Sequence, residues 1–299
     1  MPVGGALVDV TCRCIQGRLL LRPGPVLDPI IIGALARSKR HYGVRIIAFS
    51  FLSNHLHIIL AVDDARQLAR FMGYFLSKLA REAGRLTGWR EKIFGRRYQA
   101  IVVSSEEAAQ IERLRYVLAN GTKEGLVDRP GDWPGVHAIR ALLGEETLEG
   151  IWIDRTQQYA ARRRGKEHDA EQFTTTEVLT LDPLPCWKHL DHKVMQARIA
   201  TLVADIEAEA AARRERTGIP VLGPAAILRQ HPQSQPRQSK KSPAPRFHAA
   251  SREARRFLYR IYAEFVAQFR DAAERLRAGD RNAPFPPGCF PPALPFVGG

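Results

Sequence analysis

The chain has 299 residues, with 45 Lys and Arg against 31 Asp and Glu and a formal net charge of +14. A sequence pI near 10.1 points to a polyanionic partner through counterion release, although the same excess also serves solubility or attraction to an anionic membrane surface. No apolar run reaches the roughly eighteen residues of a membrane span, and the N-terminus lacks the basic-then-apolar pattern of a signal peptide. A soluble, cytoplasmic and nucleoid-associated protein is expected. Cys12, Cys14, Cys186 and Cys289 are too few and too scattered for a disulfide framework or a four-thiolate zinc site.

Residues 1–145 read as one α+β unit. Ala6 to Ile15 alternates β-formers with polar residues, turns at Gln16-Gly17 and returns through Arg18 to Leu21. Cys12 and Cys14 share strand parity, which fits either a soft-metal pair or two small buried residues. A helix follows from Pro25 to Arg40, a strand from Val44 to Leu52, a tight turn at Ser53-Asn54, and a returning strand from His55 to Val62. Ala65 to Leu86 is a long amphipathic helix with Leu68, Phe71, Phe75, Leu79 and Ala83 at helical spacing. Lys92 to Val103 is β-rich, and Glu106 to Asn120 is helical. The order βαββαβ plus a helix predicts an α+β fold: a ferredoxin-like antiparallel sheet with helices on one face and the other face open.

Residues 146–230 read as a mostly helical accessory region. Trp152 to Arg164 leads into Arg162-Arg-Arg-Gly-Lys166, a basic run that suits phosphates or a solvated helix end. Val194 to Arg216 is helical, and Gly218 to Arg229 adds a short helix, an arrangement open to a helix-turn-helix reading. Residues 231–250 form a basic, Pro-rich linker whose Lys240 and Lys241 are candidate DNA contacts. Residues 251–299 comprise a helix from Ser251 to Arg277 and a Pro- and Phe-rich tail. The helix stripe of Phe257, Ile261, Phe265 and Phe269 is too apolar to remain undocked.

Two segments carry candidate chemistry. In Asn54-His55-Leu56-His57-Ile58-Ile59-Leu60, strand alternation puts Leu56, Ile58 and Leu60 on one face and His55, His57 and Ile59 on the other. Two neutral imidazoles side by side supply half of a divalent-metal site, and such a pair also arises on any half-polar sheet face. In Ile111-Glu-Arg-Leu-Arg-Tyr-Val-Leu-Ala-Asn-Gly121, Ile111, Leu114 and Leu118 define a buried stripe, with Arg113, Tyr116 and Asn120 on the roughly opposite side. Tyr116 equally suits the edge of a core, and Asn120 with Gly121 a helix terminus.

Taken together, the ordered set of an Asn-His-x-His strand and, about sixty residues later, a helix with Tyr-x-x-x-Asn resembles the single-tyrosine HUH transposases. Among them it is most similar to the REP-associated tyrosine transposases. Tyr116-Val-Leu-Ala-Asn120-Gly-Thr-Lys-Glu-Gly125-Leu126-Val127, followed by Asp132-Trp133-Pro134, echoes that family. Gly121-Thr122 stands where the family carries Pro after the Asn, a looser helix stop.

The resemblance implies a transposase, a DNA endonuclease and strand transferase in which Tyr116 forms a covalent phosphotyrosine. His55 and His57, with Asn120, would hold Mg²⁺ or Mn²⁺. The implied partner is single-stranded DNA with a hairpin, REP-like in the nearest relatives, and a homodimer is an allowed assembly. Arg113, one turn before Tyr116, is either a phosphate clamp or a solvated arginine. A competing class is a domesticated, non-catalytic hairpin-binding protein. A zinc hydrolase built on His55 and His57 lacks an evident acid nearby.

Overall fold

The computed structural model describes residues 5–164, 170–236 and 245–293. Strands and helices follow one another as β1 (Ala6–Arg13), α1 (Leu27–Tyr42), β2 (Arg45–Leu52), β3 (His55–Val62), α2 (Ala65–Thr87), β4 (Gln99–Val103) and α3 (Glu107–Leu118). The strands lie in the order β2-β3-β1-β4, all neighbours antiparallel, which is the expected ferredoxin-like sheet.

Two segments differ from the sequence pattern. Residues 18–21 form no strand, because Gln16 and Gly17 are both left-handed (φ 55° and 71°) and swing the chain off the sheet. Leu20 and Leu21 are still buried, with the Leu21 amide donating to the Ser53 carbonyl at 2.8 Å. The β-rich stretch from Lys92 contracts to β4, preceded only by an isolated bridge between Cys14 and Phe94; Gly95, Arg96 and Arg97 offer no alternating apolar side chains to bury.

Cross-strand register fixes what each face carries. Thr11 pairs with His57, Arg13 with His55, Asp9 with Ile59 and Ser50 with His57, so these side chains share a face. The opposite face holds Phe51, whose ring meets Phe75 of α2 at 6.1 Å, with α1 lying beside α2. The imidazole face is not left open: α3 lies over part of it, bringing Tyr116 to 5.5 Å from His57 between ring centroids.

After α3 the chain forms α4 (Asn120–Lys123), α5 (Ile139–Leu143), β5 (Leu148–Ile153), α6 (Arg155–Arg163) and β6 (Thr174–Leu179). Strands β5 and β6 pair antiparallel and ride on α1, where Gly33 and Gly150 permit the contact: a Cβ on Gly33 would fall 2.1 Å from the Ile151 carbonyl oxygen. Then come α7 (His192–Thr217), α8 (Pro224–Arg229), β7 (Phe247–His248) and α9 (Arg252–Arg277). Ile199, Leu202, Val203 and Ile206 of α7 join the main core. The short β7 pairs parallel with β4, Val102 opposite Phe247, and extends the sheet.

The stripe on α9 docks less fully than its sequence suggests. Phe269 meets Phe285 of the tail at 5.5 Å and Ile261 and Phe265 are half-buried, but Phe257 is 51% exposed. Among the described residues no helix is long and apolar enough to cross a membrane.

Candidate active site

The Ser53-Asn54 turn delivers His55 to the start of β3. Nδ1 of His55 lies 2.6 Å from Oδ1 of Asn54, an oxygen that can only accept, so Nδ1 carries the proton and Nε2 keeps its lone pair. That Nε2 lies 3.4 Å from Nδ2 of Asn120. Burial, then the neighbouring His57 and Arg13, pushes the His55 pKa down to about 3. Its ring is therefore neutral at neutral pH and able to ligate a metal.

His57 is oriented from the other side. Its Nδ1 lies 3.2 Å from Oδ1 of Asp9, a fully buried carboxylate on β1. Burial works to raise the Asp9 pKa, but the hydrogen bond from His57 and the charge of Arg113 outweigh it and hold the carboxyl below its ordinary value. Donation from Nδ1–H to a carboxylate leaves Nε2 of His57 as the free nitrogen, the arrangement that orients metal-binding imidazoles.

Arg113 is not the solvated arginine of one of its two sequence readings, since it is buried. Its Nε donates to Oδ2 of Asp9 at 2.6 Å, and Nη2 donates to the same oxygen. The guanidinium carbon sits 4.3 Å from the centroid of the Tyr116 ring. Among the described residues Nη1 makes no hydrogen bond. Nζ of Lys123 lies 4.1 Å from the same ring centroid, so two cations flank the phenol. Burial raises the Tyr116 pKa above its ordinary value despite the opposing charge of Arg113.

Asn120 opens α4, which follows directly on α3. Ala119 keeps a right-handed conformation (φ −78°, ψ −2°) and α4 adds one further turn, with Thr122 Oγ1 donating to the Ala119 carbonyl at 2.9 Å. Asn120 is 2% exposed. Gly121 packs tightly there, since a Cβ would lie 3.1 Å from Cγ2 of Val127.

His55, His57, Tyr116 and Asn120 line one cleft of about 600 Å³, together with Arg13 and Asn54. Among the described residues no group of three or more His, Cys, Asp or Glu is placed to hold a metal, so an ion in this cleft depends on the two imidazoles and the Asn120 amide. The donor set fits a divalent ion: both Nε2 atoms hold lone pairs, and a half-turn of the Asn120 amide exchanges its nitrogen for the oxygen. Asp9 is the nearby acid that the sequence did not reveal, and His57 and Arg113 already occupy its oxygens.

Cys12 and Cys14 are buried thiols, each pushed up to about 12 by burial, and belong to the core. Lys240 and Lys241 lie outside the described residues, as does the Gly165-Lys166 end of the basic run.

Asp9 and Lys123 escaped the sequence reading. Lys123 stands seven residues, two helical turns, after Tyr116, a spacing that could have flagged it. Asp9 carries no such signal, because its partnership depends on strand register.

No family model matches the chain, and no curated protein matches it. Among solved structures, the chain is similar over 48% of its length to a REP-associated tyrosine transposase bound to a REP hairpin, at 18% identity and a TM-score of 0.37, covering 82% of that chain. Over 38% of its length it is similar to a protein from Deinococcus radiodurans R1 described as a transposase, at 16% identity and a TM-score of 0.29, covering 90% of that chain. Likenesses of this size carry no statement about activity.

Proposed function

We propose that this chain is a single-tyrosine HUH transposase, a metal-dependent endonuclease and strand transferase for single-stranded DNA that carries a hairpin. The observation behind the reading is the meeting of His55, His57, Asn120 and Tyr116, drawn from β3, α4 and α3, in one cleft, with the His57 and Tyr116 rings 5.5 Å apart. The hairpin, and its REP-like character, come from the motif resemblance. The net charge of +14 suits any such polyanion.

In this reading Oη of Tyr116 attacks the phosphorus of a phosphodiester. The Oη–P bond forms as the P–O3′ bond breaks, leaving a 5′-phosphotyrosine and a free 3′-hydroxyl. The phenol loses one proton and the departing 3′-oxygen gains one, so the step balances, and the ester energy is retained for rejoining. An ordinary phenol has a pKa of about 10, and burial of Tyr116 raises it further. Proton loss must therefore accompany attack, and the cations of Arg113 and Lys123 beside the ring favour the negative charge as it develops.

His55 and His57, with Asn120, would hold Mg²⁺ or Mn²⁺, which supplies Lewis-acid neutralisation of the phosphoryl oxygens. Imidazole donors favour Mn²⁺ of the two. Asn54 and Asp9 keep the two rings in the tautomer and orientation such a role needs.

The test is incubation with hairpin-bearing single-stranded DNA and Mn²⁺, followed by denaturing electrophoresis and peptide mapping. A denaturation-resistant adduct at Tyr116 is expected. Binding with neither cleavage nor adduct would identify a non-catalytic hairpin-binding protein, and cleavage without an adduct a hydrolase.

A further inference from the structure

The arginines at the start of α9 do not stand where helix stability would put them. Between Arg246 and Tyr262 the chain carries five arginines and a single acid, Glu253. Arg252, Arg255 and Arg256 occupy the first two turns of α9, the end whose peptide dipoles already present positive charge. Arg252, Arg256 and Arg260 follow one another at four-residue intervals, where like charges repel. None of the five forms an ion pair among the described residues. At the far end of the same helix, by contrast, Arg275 is paired with Asp280 at 2.7 Å. The first half of α9 thus gathers cations that weaken the helix and have no carboxylate to answer them.

Aromatic rings stand among these charges. Tyr259, about one helical turn after Arg255 and Arg256, is 49% exposed. The ring of Phe247 on β7 meets those of Tyr259 and Tyr262 edge-to-face, at 5.1 and 5.9 Å between centroids, so β7 sets the orientation of both tyrosines. The Arg246 guanidinium carbon lies 4.6 Å from the centroid of Tyr262. Tyr259 is therefore positioned without being covered. The support is ordered in turn: β7 is the outermost strand of the sheet, where the Val102 amide donates to the Arg246 carbonyl at 3.1 Å and the Ser104 amide to the His248 carbonyl at 2.8 Å. Pro245, one residue before Arg246, lines the Tyr116 cleft.

The mixture of cations and rings selects among polyanions. A duplex offers its phosphates outward and keeps its bases stacked within, so it would use the arginines and leave Tyr259 idle. An anionic membrane requires a continuous apolar face beside the cations, whereas Leu258, between Phe257 and Tyr259, is buried against the chain. Single-stranded nucleic acid supplies both partners at every nucleotide, a phosphate for a guanidinium and an unstacked base for a ring.

We propose that Arg246, Phe247, Arg255, Arg256, Tyr259 and Tyr262 form a platform for single-stranded DNA, on which a base stacks against Tyr259 while the arginines neutralise neighbouring phosphates. The choice of DNA as ligand rests on the strand-cleavage reading of the cleft. The platform gives α9 a role in holding the unpaired flank of the substrate, apart from the residues around Tyr116. Its contribution is tolerant of sequence, because every base has a face to stack.

The experiment uses the full chain carrying Tyr116→Phe, so that binding is read without cutting, and fluorescence anisotropy on two DNA probes: a hairpin with single-stranded flanks and the same hairpin trimmed of them. Adding Tyr259→Ala should weaken binding of the flanked probe by roughly 5-fold to 150-fold and leave the trimmed probe unchanged. Tyr259→Trp, which keeps a ring, should retain the affinity. Arg255→Gln with Arg256→Gln should reduce the slope of log affinity against log salt by about 1.4 on the flanked probe, at roughly 0.7 per phosphate contact. Undiminished affinity in Tyr259→Ala overturns the proposal, and so does an equal loss on both probes, which would assign α9 to the duplex. If Tyr259→Ala lowers the melting temperature, the Trp and double Gln variants decide, and a full salt slope in the latter overturns the proposal. Adduct formation by the native chain is scored separately. An adduct with ring-independent binding removes the platform alone, whereas ring-dependent binding without an adduct removes cleavage and leaves the platform. Absence of DNA binding removes both.

Discussion

The Asp9 carboxylate and the Arg113 guanidinium form a buried pair at 2.6 Å between Oδ2 and Nε, and this pair joins the two halves of the candidate site. On one side Asp9 accepts from His57. On the other, Arg113 lies over the ring of Tyr116. A change at β1 is therefore transmitted both to a candidate metal ligand and to the candidate nucleophile.

Asp9→Asn should be damaging in two separable ways. It leaves Arg113 as a buried, uncompensated cation, at a cost of about 3–5 kcal/mol, visible in thermal melting. It also removes the carboxylate that orients His57, which should weaken Mn²⁺ binding by roughly 10-fold to 100-fold in calorimetry. The double variant Asp9→Leu with Arg113→Met removes both charges and should recover most of the stability but not the metal affinity. Recovery of both would show that Asp9 acts only as a counter-ion.

Tyr116→Phe removes the attacking oxygen and keeps the ring between Arg113 and Lys123. Hairpin affinity should change little, while cleavage and the covalent adduct disappear. Cleavage at near-native rate in this variant would assign the nucleophile elsewhere.

His55→Ala and His57→Ala should each abolish cleavage with a much smaller effect on DNA affinity, because phosphate contacts dominate that affinity. Asn120→Ala should be milder, about 10-fold to 100-fold in rate. Unchanged Mn²⁺ binding in the double histidine variant, measured by calorimetry, would move the metal site away from β3.

Much of this architecture was legible because local pattern and tertiary role coincide. The strand from His55 to Val62 was readable to the residue, since a tight turn bounds it and its apolar side chains are buried on both faces. Arg113, Tyr116 and Asn120 share a helix face by spacing alone. What stayed hidden depends on distance in sequence. Asp9 is one polar residue in a strand until the pairing of Thr11 with His57 shows which face it occupies. Ile227 and Gln230 reach the cleft from about 110 residues beyond Tyr116, and no periodicity reports that. The alternation that suggests a return strand at residues 18–21 does not report that Gln16 adopts a left-handed conformation (φ 55°) that side chains rarely take.

A pH-dependent stability effect should come from Asp28, far from the chemistry. Burial raises its pKa to about 7, with the Gly24 amide and Arg22 opposing. The folded state therefore favours the protonated carboxyl. This contribution is complete below the unfolded value of about 4 and is lost as pH rises through about 7. Asp28→Asn keeps an oxygen for the Gly24 amide, which donates to Asp28 at 3.2 Å, and cannot ionise. The variant should melt a few degrees higher than the native chain at pH 8 and nearly level with it at pH 4.5. A pH-independent difference would show that the Asp28 carboxyl titrates normally.

The C-terminal region is expected to divide into scaffold and DNA contact. Phe247 and His248 pair with β4, and Glu106 accepts from the amides of Ala250 and Ser251 at 3.0 and 3.1 Å, so residues 247–251 cover a sheet edge and cap α9. Deleting residues 246–299 should expose that edge, lowering the melting temperature and promoting association. The DNA-contact role is the expectation for Lys240 and Lys241. Their double alanine variant should leave melting unchanged while reducing the slope of log affinity against log salt by about 1.4, at roughly 0.7 per phosphate contact on single strands. If the truncation melts normally and the lysine variant keeps the full salt slope, the assignments fail together, and the phosphate contacts must be sought within residues 1–145 or on α9.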